Sequence, residues 1–478
     1  MRLAPLFLLC GLAAASPFCA AQPDYLRDAR RVTPAPADPA IAHAIEGIHP
    51  ARIHSIIEKL VGFQTRNTLS SMEQDLPAGT GINAAADWIF DQFQQISSDC
   101  GGCLEVKRDT FTADPASAAG GSWGHRIPRP TRITNVYAIL RGNDAAEAKV
   151  MYLVTGHYDS RNSNVLDARG VAPGANDDAS GVAVSLESAR VLSKLHLPAT
   201  LIFVAVAGEE QGLVGSAHLA RLAKDEGWKL EGVLNNDIVG GNTTPGDKLQ
   251  LKDRVRVFSE GVPVSATPQQ QRRIRALGGE NDSPSRELAR AIADVDRTYF
   301  PAAGKAPFHA FLVSRPDRYL RGGDHSSFNN EGFAAVRLTE WREDYNHQHQ
   351  NVVRTGNPVL GDLLDYVDFT YVAKVARLNA ATLSTLASSP GEPENVKIDA
   401  RELENPTTLS WDPAPGKVDH YDLLWRETTS PDWQYVRRVP PATGNAALSV
   451  KVPISKDNVI FGVRAVDAAG HRGLVVVP

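Results

Sequence analysis

Residues 151–178 set the terms for everything around them. An apolar run through Val154 delivers His157 and Asp159, and the loop that follows brings Asp177 and Asp178. Two further apolar runs end the same way: Leu201–Ala207 closes on Gly208-Glu209-Glu210, and Gly232–Asp237 closes on Asn236-Asp237. Near-continuous apolar strands belong in a sheet covered on both faces. Amphipathic helices lie between them, Gly181–Lys194 and Gly215–Glu226, with strands predicted at Leu104–Phe111, Asn135–Arg141 and Val150–Thr155. The alternation predicts an α/β fold, a mixed, mostly parallel sheet sandwiched by helices. In such sheets ligands bind outside the carboxyl ends of the strands. Here those ends carry His157, Asp159, Glu209, Glu210 and Asp237.

Upstream, Ile53, Ile56, Ile57, Leu60 and Val61 recur at helical spacing, and a second helix is predicted at Ala84–Ile96. Residues 22–49 show no sustained apolar periodicity and read as an N-terminal arm or propeptide, with order expected from about Pro50. Residues 242–284 read as a less regular insert, followed by a helix at Ser285–Arg297 and strands at Phe308–Val313 and Ala334–Leu338. A long helix containing Leu360, Leu363, Leu364 and Val367 is expected to run to Leu386 and close a domain spanning 50–388. After a linker at 389–394, strand patterns punctuated by Pro and Gly occupy 395–478 and predict an all-β sandwich.

The first residues read as a signal peptide, 1–21: Arg2, the short apolar stretch Leu3–Ala15, then small residues at Ala20-Ala21. That implies an exported chain, periplasmic or secreted. Cys10 and Cys19 would leave with the signal, so Cys100 and Cys103 remain, and in an oxidising compartment a local disulfide is expected between them. A redox or zinc site at this pair would need a fold context or a second ligand pair that the sequence does not supply. The net charge is −5, and the longest basic cluster, around Arg272 and Arg273, reads as a solvated helix face, which disfavours nucleic-acid partners. Gly120-Gly121-Ser122-Trp123-Gly124 matches a serine-hydrolase pattern but lacks the strand before and the helix after that a nucleophile elbow requires.

His157, Asp177, Glu209, Glu210, Asp237 and a later histidine, brought together at strand ends, would place several carboxylates side by side. They would have to take up protons unless cations neutralised them. Two divalent ions resolve the conflict, and mixed nitrogen and oxygen donors suit zinc. No H-E-x-x-H helix is present, which excludes the thermolysin-type arrangement.

The blocks His157-Tyr158-Asp159-Ser160, Gly174 to Gly181, Glu209 to Ser216 and Asn236-Asp237, in this order, resemble the M28 family of zinc aminopeptidases over roughly Pro50–Ser388. The resemblance implies a two-zinc exopeptidase. His157 would bind one metal, with Asp159 accepting its other ring N–H; Asp177 would bridge both ions; Glu210 and Asp237 would each bind one. Glu209 would be the general base. For the last ligand, His325, His347 and His349 are available, and the expectation falls on His349, with His347 next. A cis peptide is expected at Asp177–Asp178. The implied substrates are peptides or proteins cut at the amino end; a carboxypeptidase, dipeptidase, glutaminyl cyclase or non-catalytic binding relative are the alternatives. Segment 242–320 is expected to shape the specificity pocket, with Arg286, Arg315 and Arg321 able to pair with a substrate carboxylate but read as surface charges. The terminal segment, with Leu409-Ser410-Trp411, Tyr421 and Phe461 to Asp467, resembles a fibronectin type III module, with a polymer or protein surface as its expected partner.

Overall fold

The computed structural model describes residues 22–27, 29–115, 126–304, 307–444 and 446–478. The expected signal peptide and the Gly120–Gly124 pattern lie outside these residues. In chain order, a two-residue strand β1 (Arg30–Arg31) precedes helices α1 (Pro39–Glu46), α2 (Pro50–Val61) and α3 (Gly81–Asp99). Strands β2 (Leu104–Ala113), β3 (Thr131–Leu140) and β4 (Val150–His157) lead to α4 (Ala179–Leu192), β5 (Thr200–Val206), α5 (Val214–Asp225) and β6 (Lys229–Asn236). Next come β7 (Arg254–Ser259), α6 (Pro268–Leu277), α7 (Pro284–Tyr299), β8 (His309–Val313), α8 (His325–Glu331), β9 (Ala335–Thr339) and α9 (Phe369–Ser388). Six strands follow: β10 (Glu394–Ile398), β11 (Thr407–Asp412), β12 (His420–Glu427), β13 (Tyr435–Val439), β14 (Leu448–Val452) and β15 (Val459–Val466).

The central sheet has the order β2-β3-β5-β4-β6-β9-β7-β8. Its middle, β5-β4-β6-β9, is parallel throughout, while β2, β3 and the β7–β9 pairing are antiparallel. Side chains alternate between two cores, as the period of two demands. Tyr152, Val154, Leu201, Phe203 and Ala205 pack with α2, α4 and α9; Leu153, Ile202, Val204 and Val206 pack with Leu219 of α5 and Phe328 of α8. Helix α4 is buried along nearly its whole length, which suits a sequence of Ala, Ser, Gly and Val that lets it lie close to the sheet. The parallel middle brings the ends of β4, β5, β6 and β9 to one edge, and the site forms there.

Three sequence expectations are corrected. Residues 22–49 are not outside the fold. Asp38 caps α1 by accepting from Ala40 and Ile41, Pro39 occupies its first turn, and Ile41 and Ile45 enter the main core. Arg30 and Arg31 pair antiparallel with Val436 and Tyr435, so the arm adds an edge strand to the C-terminal sandwich. Segment 242–284 is more regular than expected, since it holds β7 and α6; α6 buries none of its residues, consistent with a solvated basic face. The closing helix begins at Phe369, after Leu360, Leu363, Leu364 and Val367, because Asp368 caps it through Thr370 and Tyr371.

The last strands form two antiparallel sheets, β1-β13-β12-β15 and β10-β11-β14, around Leu409, Trp411, Tyr421, Leu423, Trp425 and Phe461. Helix α7 carries the contact between this sandwich and the central-sheet part of the molecule. Glu287 accepts from Trp433 Nε1 at 2.8 Å, Arg290 donates to the Pro431 carbonyl at 2.7 Å, and Asp294 meets Arg464 at 3.1 Å. Cys100 and Cys103 are joined in a disulfide.

Three carboxyls, buried at Glu147 and Glu231 and half-buried at Glu392, meet where the two parts join. Glu147 packs against Gly416, Glu231 accepts from Tyr152 OH at 3.0 Å, and Glu392 lies beside Glu231. Burial pushes Glu147 up to about 7, and burial with the neighbouring Glu231 charge pushes Glu392 up to about 8, from an ordinary 4.5. A carboxyl raised on folding stabilises fully below its ordinary value and loses that contribution as pH rises through its folded value. The thermal midpoint is therefore expected to fall between pH 5 and about 8 through these groups. Glu392→Gln should flatten that fall, a comparison made by thermal scans of both proteins across the range; an unchanged slope would remove the junction as its source.

Candidate metal centre

His157 is the last residue of β4, and its backbone N–H donates to Asp178 Oδ2 at 3.0 Å. Its ring Nδ1 lies 3.1 Å from the carbonyl oxygen of Asp159 and 3.4 Å from Oδ1 of the same residue. Both are acceptors, so Nδ1 carries a proton and the ring is held with Nε2 pointing inward. That Nε2 is buried and makes no hydrogen bond, with Asp177 Oδ1 at 3.1 Å and Asp237 Oδ1 at 3.8 Å. Asp159 does more than the sequence implied. Its carboxylate accepts from Thr68 Oγ1 and from the N–H groups of Glu209 and Glu210, so one side chain ties the end of β4 to the loop after β5.

Asp177 faces both ways. Oδ1 points to His157, while Oδ2 lies 2.9 Å from His349 Nε2 and accepts from Gln348 Nε2 at 3.1 Å. On the far side Glu210 Oε1, buried and without a hydrogen-bond partner, is also 2.9 Å from His349 Nε2. Donor atoms of Asp177, Glu210 and His349 lie within 4.8 Å of one another, as do those of His157, Asp178 and Asp237. Asp178 is already engaged, however: its oxygens accept from His157, Gly181 and Ile238 N–H groups and cap α4. Asp177 is therefore the carboxylate that serves both groups. The Asp177–Asp178 peptide is cis.

Charge in this pocket is unbalanced. Burial opposes a proton on His157, yet Asp159, Asp177 and Asp237 together push its imidazole well above the ordinary range. Burial, reinforced by Glu210, Asp237 and Asp324 and opposed by His157, pushes Glu209 well up. Unbonded buried atoms at His157 Nε2, 3.1 Å from Asp177, and at Glu210 Oε1, within 4.8 Å of an Asp177 oxygen, are the pattern a divalent cation satisfies. The donor set of two imidazoles and three carboxylates fits zinc.

The other histidines go elsewhere. His347 stacks on Tyr366 at 3.5 Å and contacts the Val359 carbonyl, and His325 contacts the Pro316 carbonyl. His349 adopts φ 55° and Ile238, just after Asp237, φ 60°. Left-handed backbone at a β-branched residue stores strain of about 1–3 kcal/mol, and here it sits beside Asp237.

A cavity of about 710 Å³ opens over the cluster, lined by Glu209, Arg126, Arg161, Leu320, Arg321 and Tyr345 among others. Among the described lining residues, Arg318 and Leu320 come from segment 242–320, and most of the rest come from elsewhere. Arg321 lines it while pairing with Glu343 at 2.8 Å; Arg315 is exposed, and Arg286, expected on the surface, is buried against Ser259.

Sequence reasoning missed four contributors. Asp362 accepts from the N–H groups of Asn176 and Asp177 at 2.8 and 2.7 Å, and Gln348 donates to Asp177. Arg161 holds Glu210 Oε2 at 3.0 Å, and Arg337 holds Asp237 Oδ2 at 2.9 Å. Arg337 had a signal: a lone charge inside the apolar strand Ala334–Leu338 must find a buried partner.

Residues 135–360 match peptidase family M28. A zinc aminopeptidase from Bacillus subtilis aligns at TM-score 0.47 and 15% identity, covering 70% of this chain and 94% of that one. A probable zinc metalloprotease from Pyricularia oryzae is 43% identical over 449 residues, covering 92% of this chain and 84% of that protein. Another from Leptosphaeria maculans is 42% identical, covering 94% and 98%. With identity sustained over nearly the full length of such relatives, the chain belongs to peptidase family M28 and is a zinc metallopeptidase.

Proposed function

We propose that this protein is an exported aminopeptidase that removes N-terminal residues from peptides at a two-zinc centre. The observation that carries the reading is Asp177, whose two oxygens face two separate donor pairs, His157 with Asp237 and His349 with Glu210. His157, Asp177 and Asp237 would hold one ion and His349, Asp177 and Glu210 the other. Bound zinc would supply Lewis acidity toward water and the scissile carbonyl. Glu209 is outside both donor sets, partly exposed to the cavity, with a carboxyl raised by its surroundings. That suits it to take a proton from water and return it to the leaving amine. Asp159 orients the His157 ring and, through the N–H groups of Glu209 and Glu210, the loop that carries the base. A cavity of about 710 Å³ is within the ~300–1,000 Å³ of small-ligand pockets, which favours a chain end over a long peptide segment.

The arginines on the cavity wall give the carboxypeptidase reading its specific support, because Arg161 and Arg321 could meet a terminal carboxylate. Aminoacyl amides and N-blocked peptides with free carboxyl ends separate the two. Export is supported by the Arg2 to Ala21 pattern and by the Cys100–Cys103 disulfide, which fits an oxidising compartment. The two-sheet C-terminal sandwich supports a fibronectin type III-like reading of that part.

Glu209→Gln should retain its metal and lose about 10²–10⁴-fold in kcat on aminoacyl amides. Turnover within tenfold of wild type, with metal content unchanged, would take the base assignment away. Chelation should abolish peptidase activity and added zinc should restore it, with elemental analysis of the restored protein returning two ions per chain.

A further inference from the structure

Arg126, Arg161, Arg318 and Arg321 line the cavity above the metal centre. Among the described residues, every carboxylate that lines it is either a ligand of that centre or Glu209. The arginines differ in how fully their donors are engaged. Arg126 donates to the Glu210 carbonyl at 2.7 Å, and Arg161 to Glu210 Oε2 at 3.0 Å. Arg318 is buried, and all three of its guanidinium nitrogens have partners: Asp317 at 3.0 Å, Glu343 at 2.9 Å and the Gly322 carbonyl at 3.3 Å. Arg321 differs from these. Its side chain is 30% exposed, and among the described contacts it bonds through Nη1 alone, to Glu343 Oε2 at 2.8 Å. A guanidinium carries five donors, so the edge formed by Nε and Nη2 is left for a ligand.

Glu343 does not neutralise Arg321 by itself. This one buried carboxylate accepts from Arg318 and Arg321 on Oε2 and from Arg256 on Oε1, the last at 3.1 Å. Burial opposes its charge, yet the arginines around it hold its carboxyl below the ordinary range, so it is ionised and shared three ways. Arg318 has a second carboxylate in Asp317, whereas Arg321 has none among the described contacts. The loop that presents Arg321 is also fixed in place. Arg321 N–H closes a turn on the Arg318 carbonyl, and the Gly322 carbonyl accepts from both Arg318 and Arg337. Between them Leu320 adopts φ 57° while 89% exposed, a left-handed backbone that no burial of its own side chain explains. An outlier of this kind on a cavity wall points to binding.

Resting on the aminopeptidase reading above, we propose that the cavity selects substrates carrying a carboxylate close to the scissile bond and that Arg321 is the residue that reads it. A carboxylate accepts two parallel N–H bonds from one guanidinium edge, whereas a carboxamide of the same shape offers a single acceptor. In a short peptide that carboxylate comes from one of three places: the side chain of an acidic first residue, the side chain of an acidic second residue, or the free carboxyl end of a dipeptide.

The test uses the full-length, zinc-loaded protein and three pairs of peptides that differ only by a carboxylate against a carboxamide. They are Asp-Ala-amide against Asn-Ala-amide, Leu-Asp-amide against Leu-Asn-amide, and Leu-Ala against Leu-Ala-amide. Wild type is expected to favour the acid in one pair by about 10–100-fold in kcat/KM, the scale of a hydrogen bond to a charged group, and that pair identifies the source. The difference should lie mainly in KM. Arg321→Gln should bring the ratio down toward one, and Arg321→Lys, which keeps the charge and loses the planar fork, should fall between them. Thermal midpoints check that both variants are folded. A wild-type ratio near one in all three pairs, or a preference for the acid that Arg321→Gln leaves intact, would overturn the role of Arg321, while cleavage of the amides would still uphold the aminopeptidase reading. Cleavage of Leu-Ala alone, lost in Arg321→Gln, would overturn the aminopeptidase reading and keep Arg321 as the reader of a terminal carboxylate. No turnover of any of the six peptides would overturn both.

Discussion

Carboxylates crowded in a buried place repel one another, and this centre is organised by how that repulsion is met. Asp177, Glu210 and Asp237 converge with Glu209 and Asp178 close by, at the edge of a sheet whose interior offers little screening. Two arginines, two imidazoles and the N–H groups at the start of α4 offset part of the charge. The remainder is what divalent cations neutralise. The parallel run β5-β4-β6-β9 makes such crowding available, since its strand ends share one edge. Asp159 and Asp362 then fix where the crowded groups point, through backbone N–H groups of the neighbouring loops.

Much of this was legible in the sequence because strand period and chemistry coincide. The runs ending at His157, Glu209-Glu210 and Asp237 announce both a buried sheet and its polar edge, and the structure brings those ends together. Residues whose role depends on distant partners were not legible. Asp362 sits in a Gly-rich connection with no local pattern, and only the fold places it under Asn176 and Asp177. Arg161 reads as loop polarity until His349 arrives from a segment nearly two hundred positions away. The arm was misread for the same reason. Its strand has two residues and no apolar rhythm, and it exists because β13 offers an open edge.

That open edge also explains how the two ends of the chain depend on each other. Trp425 Nε1 donates to the Tyr25 carbonyl, Ser455 N–H donates to Asp24, and His471 reaches Asp38, whose own N–H donates to Tyr299 of α7. The sandwich, the arm and α7 thus hold one another, and covering β13 removes an exposed strand edge that could pair with another molecule.

The pairing of Arg30 with Val436 sets an order of assembly. The arm is made some four hundred residues before its partner strand, on the order of the separation between Arg30 and Val436. Until then Arg30 and Arg31 have no strand to pair with, and closing so long a loop carries an entropic cost that the finished sandwich must offset. The arm's attachment therefore waits on the strand that fastens it, and a truncation of the sandwich would leave the arm without its partner edge.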